Sequence, residues 1–277
     1  LPNSARRAAP EAIPIGRAIV IALQNARSAT NRQPTTREAH NHPLLPLADH
    51  NPRRTTPVVN IILIVINVMM FLWELSLGPQ IEPVLTNVAF VPARFWYLPG
   101  ALLPNIITMF VSMFLHGGWL HLGGNMLYLW VFGDNVEDRL GHVKYFFFYI
   151  ACGLIATLAH AAMNPASRVP SIGASGAIAG VLGAYIVLFP KQRVTTLIPI
   201  FIFITVREIP AIFLLGFWIV VQVFFGAASM NGDLQSAGGV AYFAHIGGFI
   251  AGMLLIVLLG GLRRPRPSRP AYYDSRW

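Results

Sequence analysis

The stretch Gly173-Ala174-Ser175-Gly176-Ala177-Ile178-Ala179-Gly180-Val181-Leu182-Gly183-Ala184-Tyr185-Ile186-Val187-Leu188 carries no charge, and Gly176, Gly180 and Gly183 recur at helical spacing. Gly176 and Gly180 form a GxxxG pair, with Gly183 one turn further on. In lipid no hydrophobic effect draws helices together, so small residues that admit a close neighbour mark the packing face. The stretch therefore predicts a helix buried in a membrane bundle. A serine hydroxyl, Ser175, stands at its mouth.

The remaining sequence agrees. Of 277 residues, 55 % are hydrophobic and 11 % are charged, where a soluble domain carries about a quarter charged residues. Apolar runs fall at about 58–77, 119–135, 143–163, 174–190, 209–228 and 240–262. The fold expected is all-α: a polytopic membrane protein with a bundle of six transmembrane helices. Residues 1–56 read as a basic, largely disordered cytoplasmic segment, in which Ile13 to Ala26 could form a short interfacial helix. Residues 57–262 form the membrane domain and 263–277 a basic cytoplasmic tail. The long connection after the first run, with Phe90, Phe95, Trp96 and Tyr97, suits an element lying at headgroup level. The single cysteine, Cys152, excludes an intrachain disulfide framework.

Charge sets the orientation. With the N-terminus cytoplasmic, the inner flanks hold Arg53, Arg54, Arg139, Lys144, Lys191, Arg193, Arg207, Arg263, Arg264, Arg266 and Arg269, while the outer side holds Arg94 and Arg168. Lys and Arg concentrate on cytoplasmic loops, so both termini are expected inside, in a multi-pass protein of the cell (inner) membrane. Thr195 to Val206 is apolar but only about twelve residues long and interrupted by Pro199; as a seventh span it would spoil this bias. The net charge of +9 flanks the spans, where anionic lipid accounts for it, so no nucleic-acid partner is expected.

In this topology the second, fourth and sixth runs enter the membrane from the outer side. His121 and Asn125 open the second, Ser175 the fourth and His245 the sixth. At 1.5 Å per residue, all four sit within roughly 10 Å of the outer helix ends. His245, Gly248 and Gly252 lie at i, i+3 and i+7, on one helix face, so a glycine face carries the histidine toward the matching face of Gly176 and Gly180. An intramembrane histidine is costly and marks function. An imidazole beside a serine activates it as a nucleophile. His121 and Asn125, at i and i+4, can donate to an oxyanion, as can the backbone N–H of Ser175 at its helix start. No Asp or Glu stands ready to orient His245, so a dyad is expected. Glu137, Asp138 and Arg139 read as a structural network closing the second run.

The segments His116-Gly117-Gly118-Trp119-Leu120-His121-Leu122-Gly123-Gly124-Asn125, Gly173-Ala174-Ser175-Gly176 and Ala244-His245-Ile246-Gly247-Gly248 together resemble the rhomboid family of intramembrane serine proteases, over roughly residues 46–262. The resemblance implies Ser175 as nucleophile, His245 as base, His121 and Asn125 as oxyanion donors, and His116 lining the site. It also implies hydrolysis of peptide bonds in or near a substrate's transmembrane segment, with transmembrane proteins and the bilayer as partners and no cofactor. Two departures stand out. Ile107-Thr108 replaces the Trp-Arg pair of the first long loop, which leaves that loop without its usual anchor. Ala179 replaces the aromatic on which the histidine rests, so His245 is expected to be held less firmly.

Other readings are weaker. The elbow GxSxG fails at Ala177 and no strand precedes it. His116 and His121, five apart, do not share a helix face and have no third ligand nearby, so no metal is expected. A transporter would show repeats and a midplane site, and neither is present. The alternative on the same scaffold is a catalytically silent relative that binds membrane helices.

Overall fold

The computed structural model describes residues 45–98, 102–200, 203–230 and 240–262; the expected interfacial helix Ile13–Ala26 and the tail after 262 lie outside these. The six apolar runs become helices: α1 Val58–Ser76, α5 Trp119–Leu140, α6 His142–Met163, α7 Ser175–Leu188, α8 Ala211–Met230 and α9 Tyr242–Leu258. Between the first two, the chain forms a 3₁₀ turn at Gly78–Gln80 and three short helices, α2 Ile81–Val88, α3 Pro92–Tyr97 and α4 Leu102–Ser112. Of the long helices, α1, α6 and α8 are long and apolar enough to cross a membrane.

Helix α5 runs beyond its apolar stretch to Leu140 because its polar last turn is buried and paired. Glu137 is fully buried and its carboxylate accepts the backbone N–H groups of Val59 (2.9 Å) and Asn60 (2.7 Å). These are first-turn donors of α1, a helix with no capping side chain of its own, and a carboxylate there also meets the positive end of the helix dipole. Asp138 accepts from the backbone of Arg54 (3.1 Å) and Thr55 (2.8 Å). Asn60 in turn receives Tyr145 Oη–H (2.7 Å) and donates to the Leu129 carbonyl (3.0 Å). A Cβ on Gly133 would collide with the Asn60 amide. Gly141, at φ +78°, ends α5 in a conformation that side chains disfavour.

The all-α expectation needs one correction. Thr195–Val206 is no span: Arg193–Ile200 (β2) and Phe203–Pro210 (β3) pair antiparallel, and Leu45–Asp49 (β1) joins β2 to make a three-stranded sheet in the order β1-β2-β3. The segment is rich in Val, Thr and Ile, whose branched side chains favour strands, and a hairpin satisfies its backbone without the length a helix needs. The end of the N-terminal segment, expected to lack structure, is therefore ordered into β1. Asp49 of β1 fastens the sheet to the bundle: its Oδ2 accepts from Tyr185 Oη on α7 (2.6 Å) and Asn135 Nδ2 on α5 (2.7 Å). The core between them holds Phe132, Tyr145, Phe148, Tyr149 and Tyr185, all buried.

Candidate active site

The serine and the histidine meet because α7 and α9 touch backbone to backbone. A Cβ on Gly248 would fall on the carbonyl oxygen of Gly176, one on Gly252 on that of Gly180, and one on Gly183 on that of Phe249. On the other flank of α7, Gly180 leaves room for the Cys152 side chain of α6, and a Cβ on Gly176 would lie 2.7 Å from Ala156 Cβ. Any larger residue at these positions would push the helices apart. Ser175, the first residue of α7, then lies opposite His245 in the first turn of α9, with Oγ 2.8 Å from Nε2.

Helix α8 completes the surroundings of His245, and sequence reasoning did not find this. Gln222 Oε1 lies 2.7 Å from His245 Nδ1. The Trp218 ring packs on the imidazole at 5.7 Å between centroids, tilted 36°, and also reaches Phe249. Trp218 and Gln222 are four apart and share a face of α8. The aromatic missing at Ala179 is thus supplied from a different helix, and His245 is gripped on two sides, contrary to the looser hold expected. The signal in the sequence was Gln222 itself, a lone amide in the apolar run 211–226, where a buried polar group demands a partner.

His121, Asn125 and His116 gather on the other side of Ser175. Gly117 N–H donates to His121 Nδ1 (3.3 Å), so the neutral ring carries its proton on Nε2. That nitrogen faces the chain just before the serine: a Cβ on Gly173 would lie 2.7 Å from His121 Nε2 and 3.8 Å from Asn125 Nδ2. Gly173 has φ +123°, and only glycine fits there on both counts. Asn125 is buried, and its Nδ2 has no hydrogen-bond partner among the described residues. His116 packs edge-on against His121 at 5.1 Å. Its backbone N–H donates to Glu74 of α1 (3.0 Å), and burial, reinforced by His121, holds its imidazole neutral, with a pKa lowered to about 4.

The first long connection is anchored without a Trp-Arg pair. Phe90 N–H donates to Ser112 Oγ (2.6 Å), Ser171 N–H to the Phe90 carbonyl (2.8 Å), and Gly173 N–H to the Ser112 carbonyl (2.8 Å). Trp96 Nε1–H reaches the Ala161 carbonyl (2.9 Å), and Arg94 the Thr86 carbonyl (2.6 Å). The Ser171 and Gly173 bonds tie the connection to the segment that leads into Ser175, the Trp96 bond ties it to α6, and the Phe90–Ser112 and Arg94–Thr86 bonds hold it to itself. His121, Asn125, His160, Ser175, Trp218 and His245 all line one cavity of about 1280 Å³. Among the described residues no group of three or more His, Cys, Asp or Glu could hold a metal ion.

Long apolar helices around an open cavity into which polar side chains project mark an integral membrane protein, and comparison with known proteins gives its kind. The family model described as Rhomboid domain matches residues 104–262. The chain belongs to the rhomboid family. It is similar to the mitochondrial Rhomboid protein 1 of Saccharomyces cerevisiae, 31 % identical over 177 residues, covering 62 % of this chain and 47 % of that protein. It is 34 % identical over 146 residues to the rhomboid protease GluP of Bacillus subtilis, covering 53 % of this chain and 24 % of that protein. To the chloroplastic Rhomboid-like protein 11 of Arabidopsis thaliana it is 28 % identical over 154 residues, with 53 % and 50 % covered. The chain thus spans half or less of the length of these relatives.

Proposed function

We propose that this chain is an intramembrane serine endopeptidase that hydrolyses peptide bonds in or near the transmembrane segments of other membrane proteins. The observation that carries this reading is the 2.8 Å contact of Ser175 Oγ with His245 Nε2, beside a buried amide donor on Asn125 that has no partner among the described residues. Helices α1, α5, α6, α7, α8 and α9 are its six spans. Both termini lie on the cytoplasmic side of the cell membrane, and residues 57–262 form the protease domain between two basic flanks. That the similar Bacillus subtilis protein is named a protease supports the same reading.

Ser175 Oγ attacks the scissile carbonyl while His245 Nε2 takes its proton. The developing oxyanion receives hydrogen bonds from Asn125 Nδ2, His121 Nε2 and the backbone N–H of Ser175, which has no acceptor within its helix. His245 then protonates the departing amine. Water, deprotonated by the same nitrogen, releases the acyl group and restores the serine. His116 does not line the cavity as the resemblance implied; it is buried behind His121, against which its ring packs edge-on. The test is cleavage of a single-span substrate reconstituted in liposomes. Wild type is expected to cut it and Ser175→Ala to leave it intact; equal product from both would overturn the reading and favour a silent helix-binding relative.

A further inference from the structure

We infer that Gln222 is a positioning residue for the base: its side-chain oxygen accepts the Nδ1 proton of His245 and thereby fixes the tautomer that leaves Nε2 free to take the proton of Ser175. The inference rests on the proteolytic reading for its consequence, though the hydrogen bond itself does not.

Four observations meet here. Gln222 is buried in the middle of α8, between Val221 and Val223. Its Oε1 lies 2.7 Å from Nδ1, while Nε2 of the same ring lies 2.8 Å from Ser175 Oγ. Trp218, one turn earlier on the same face, covers the ring plane. A neutral imidazole has one donor and one acceptor nitrogen, so the partner of one decides the role of the other. With Gln222 accepting at Nδ1, Nε2 must accept from the serine hydroxyl. The amide thus does the orienting work that a carboxylate does in a Ser-His-Asp triad, without the negative charge that would stabilise the imidazolium. The titratable groups that act on His245 from its neighbours are His121 on α5 and His160 on α6; Tyr128 lines the same cavity. Gln222 does not itself line that cavity, so it acts on substrate only through His245.

The charge difference supplies the test. In Gln222→Glu the acceptor is kept and a carboxylate is added against the ring, which favours imidazolium. The acid limb of the kcat/KM profile is expected to move up by about 1–2 pH units. In Gln222→Leu the acceptor is lost, and kcat is expected to fall about 100-fold or more with KM unchanged. Nitrogen-15 NMR of the histidine-labelled full chain in detergent reads the tautomer without any need for turnover. Wild type should carry the proton on Nδ1 of His245, and Gln222→Leu should give a mixture. A proton on Nε2 in wild type, or an unmoved acid limb in Gln222→Glu together with an unchanged tautomer in Gln222→Leu, would overturn the inference. Failure of a fluorophosphonate to label wild-type Ser175, with the tautomer as expected, would overturn the proteolytic reading and leave the positioning bond standing.

Discussion

Asn125 keeps a buried amide donor without a partner among the described residues, an arrangement that costs about 1–3 kcal/mol in an ordinary core. An oxyanion forming beside Ser175 would supply the missing acceptor. Asn125→Ala is accordingly expected to lower kcat by about 100- to 1000-fold with little change in KM, measured on the reconstituted substrate. Gly173→Ala should be comparably damaging without unfolding the bundle, since it strains a residue at φ +123° and displaces His121. Full activity in that variant, alongside an unchanged circular dichroism spectrum, would contradict the placement of His121. At this scale Ser175, His245, His121 and Asn125 were legible because each departs from the apolar background at a helix opening. Trp218 and Gln222 were hidden for a physical reason. Their pairing with His245 is set by the rotation of α8 against α9, which no local pattern encodes, and an aromatic in an apolar helix reads as packing.

Helices α7 and α9 form the element on which the site depends, because glycines let the carbonyls of one rest on the other. Gly252→Val would wedge them apart two turns below His245. Overpacking of this kind costs about 1–3 kcal/mol, so a lower unfolding temperature in detergent and a loss of serine labelling are expected together. The GxxxG spacing made this contact readable from the chain alone. The sheet was not readable, because β1 and β2 are far apart in sequence and an apolar stretch of Val, Thr and Ile serves a strand or a short span equally. Its attachment gives a pH prediction. Burial, opposed by the Tyr185 hydrogen bond, raises the Asp49 carboxyl from its ordinary 3.8 to about 6. The folded state therefore favours the protonated form. This stabilisation is full below about pH 4 and is lost as the pH climbs through about 6. Asp49→Asn removes the titration, so the unfolding temperature of wild type should fall relative to that of the variant between these limits. A constant difference would show that Asp49 does not titrate there.

Across the whole molecule, polar groups divide between two ends of the bundle. Ser175, His245, His121 and Asn125 gather at one. Glu137, Asp138 and Asp49 bind α1, α5 and the sheet at the other. The helices at the six apolar runs were legible from hydropathy; α1, α6 and α8 are long and apolar enough to cross a membrane, whereas α7 and α9, at 14 and 17 residues, are shorter than the roughly 20 residues of a perpendicular span. Because Cys152 is the single cysteine and is buried, introduced cysteines can be labelled against a quiet background. Thr55→Cys and Ser167→Cys are expected to react from opposite sides of sealed vesicles; reaction from one side would contradict the topology. The most direct test of the central claim is covalent labelling of the purified full chain by a fluorophosphonate, with the modified residue identified by mass spectrometry. The account predicts labelling at Ser175 in wild type and its loss in His245→Ala. Labelling of Ser175 at equal rate in both, or none in folded wild type, would contradict it.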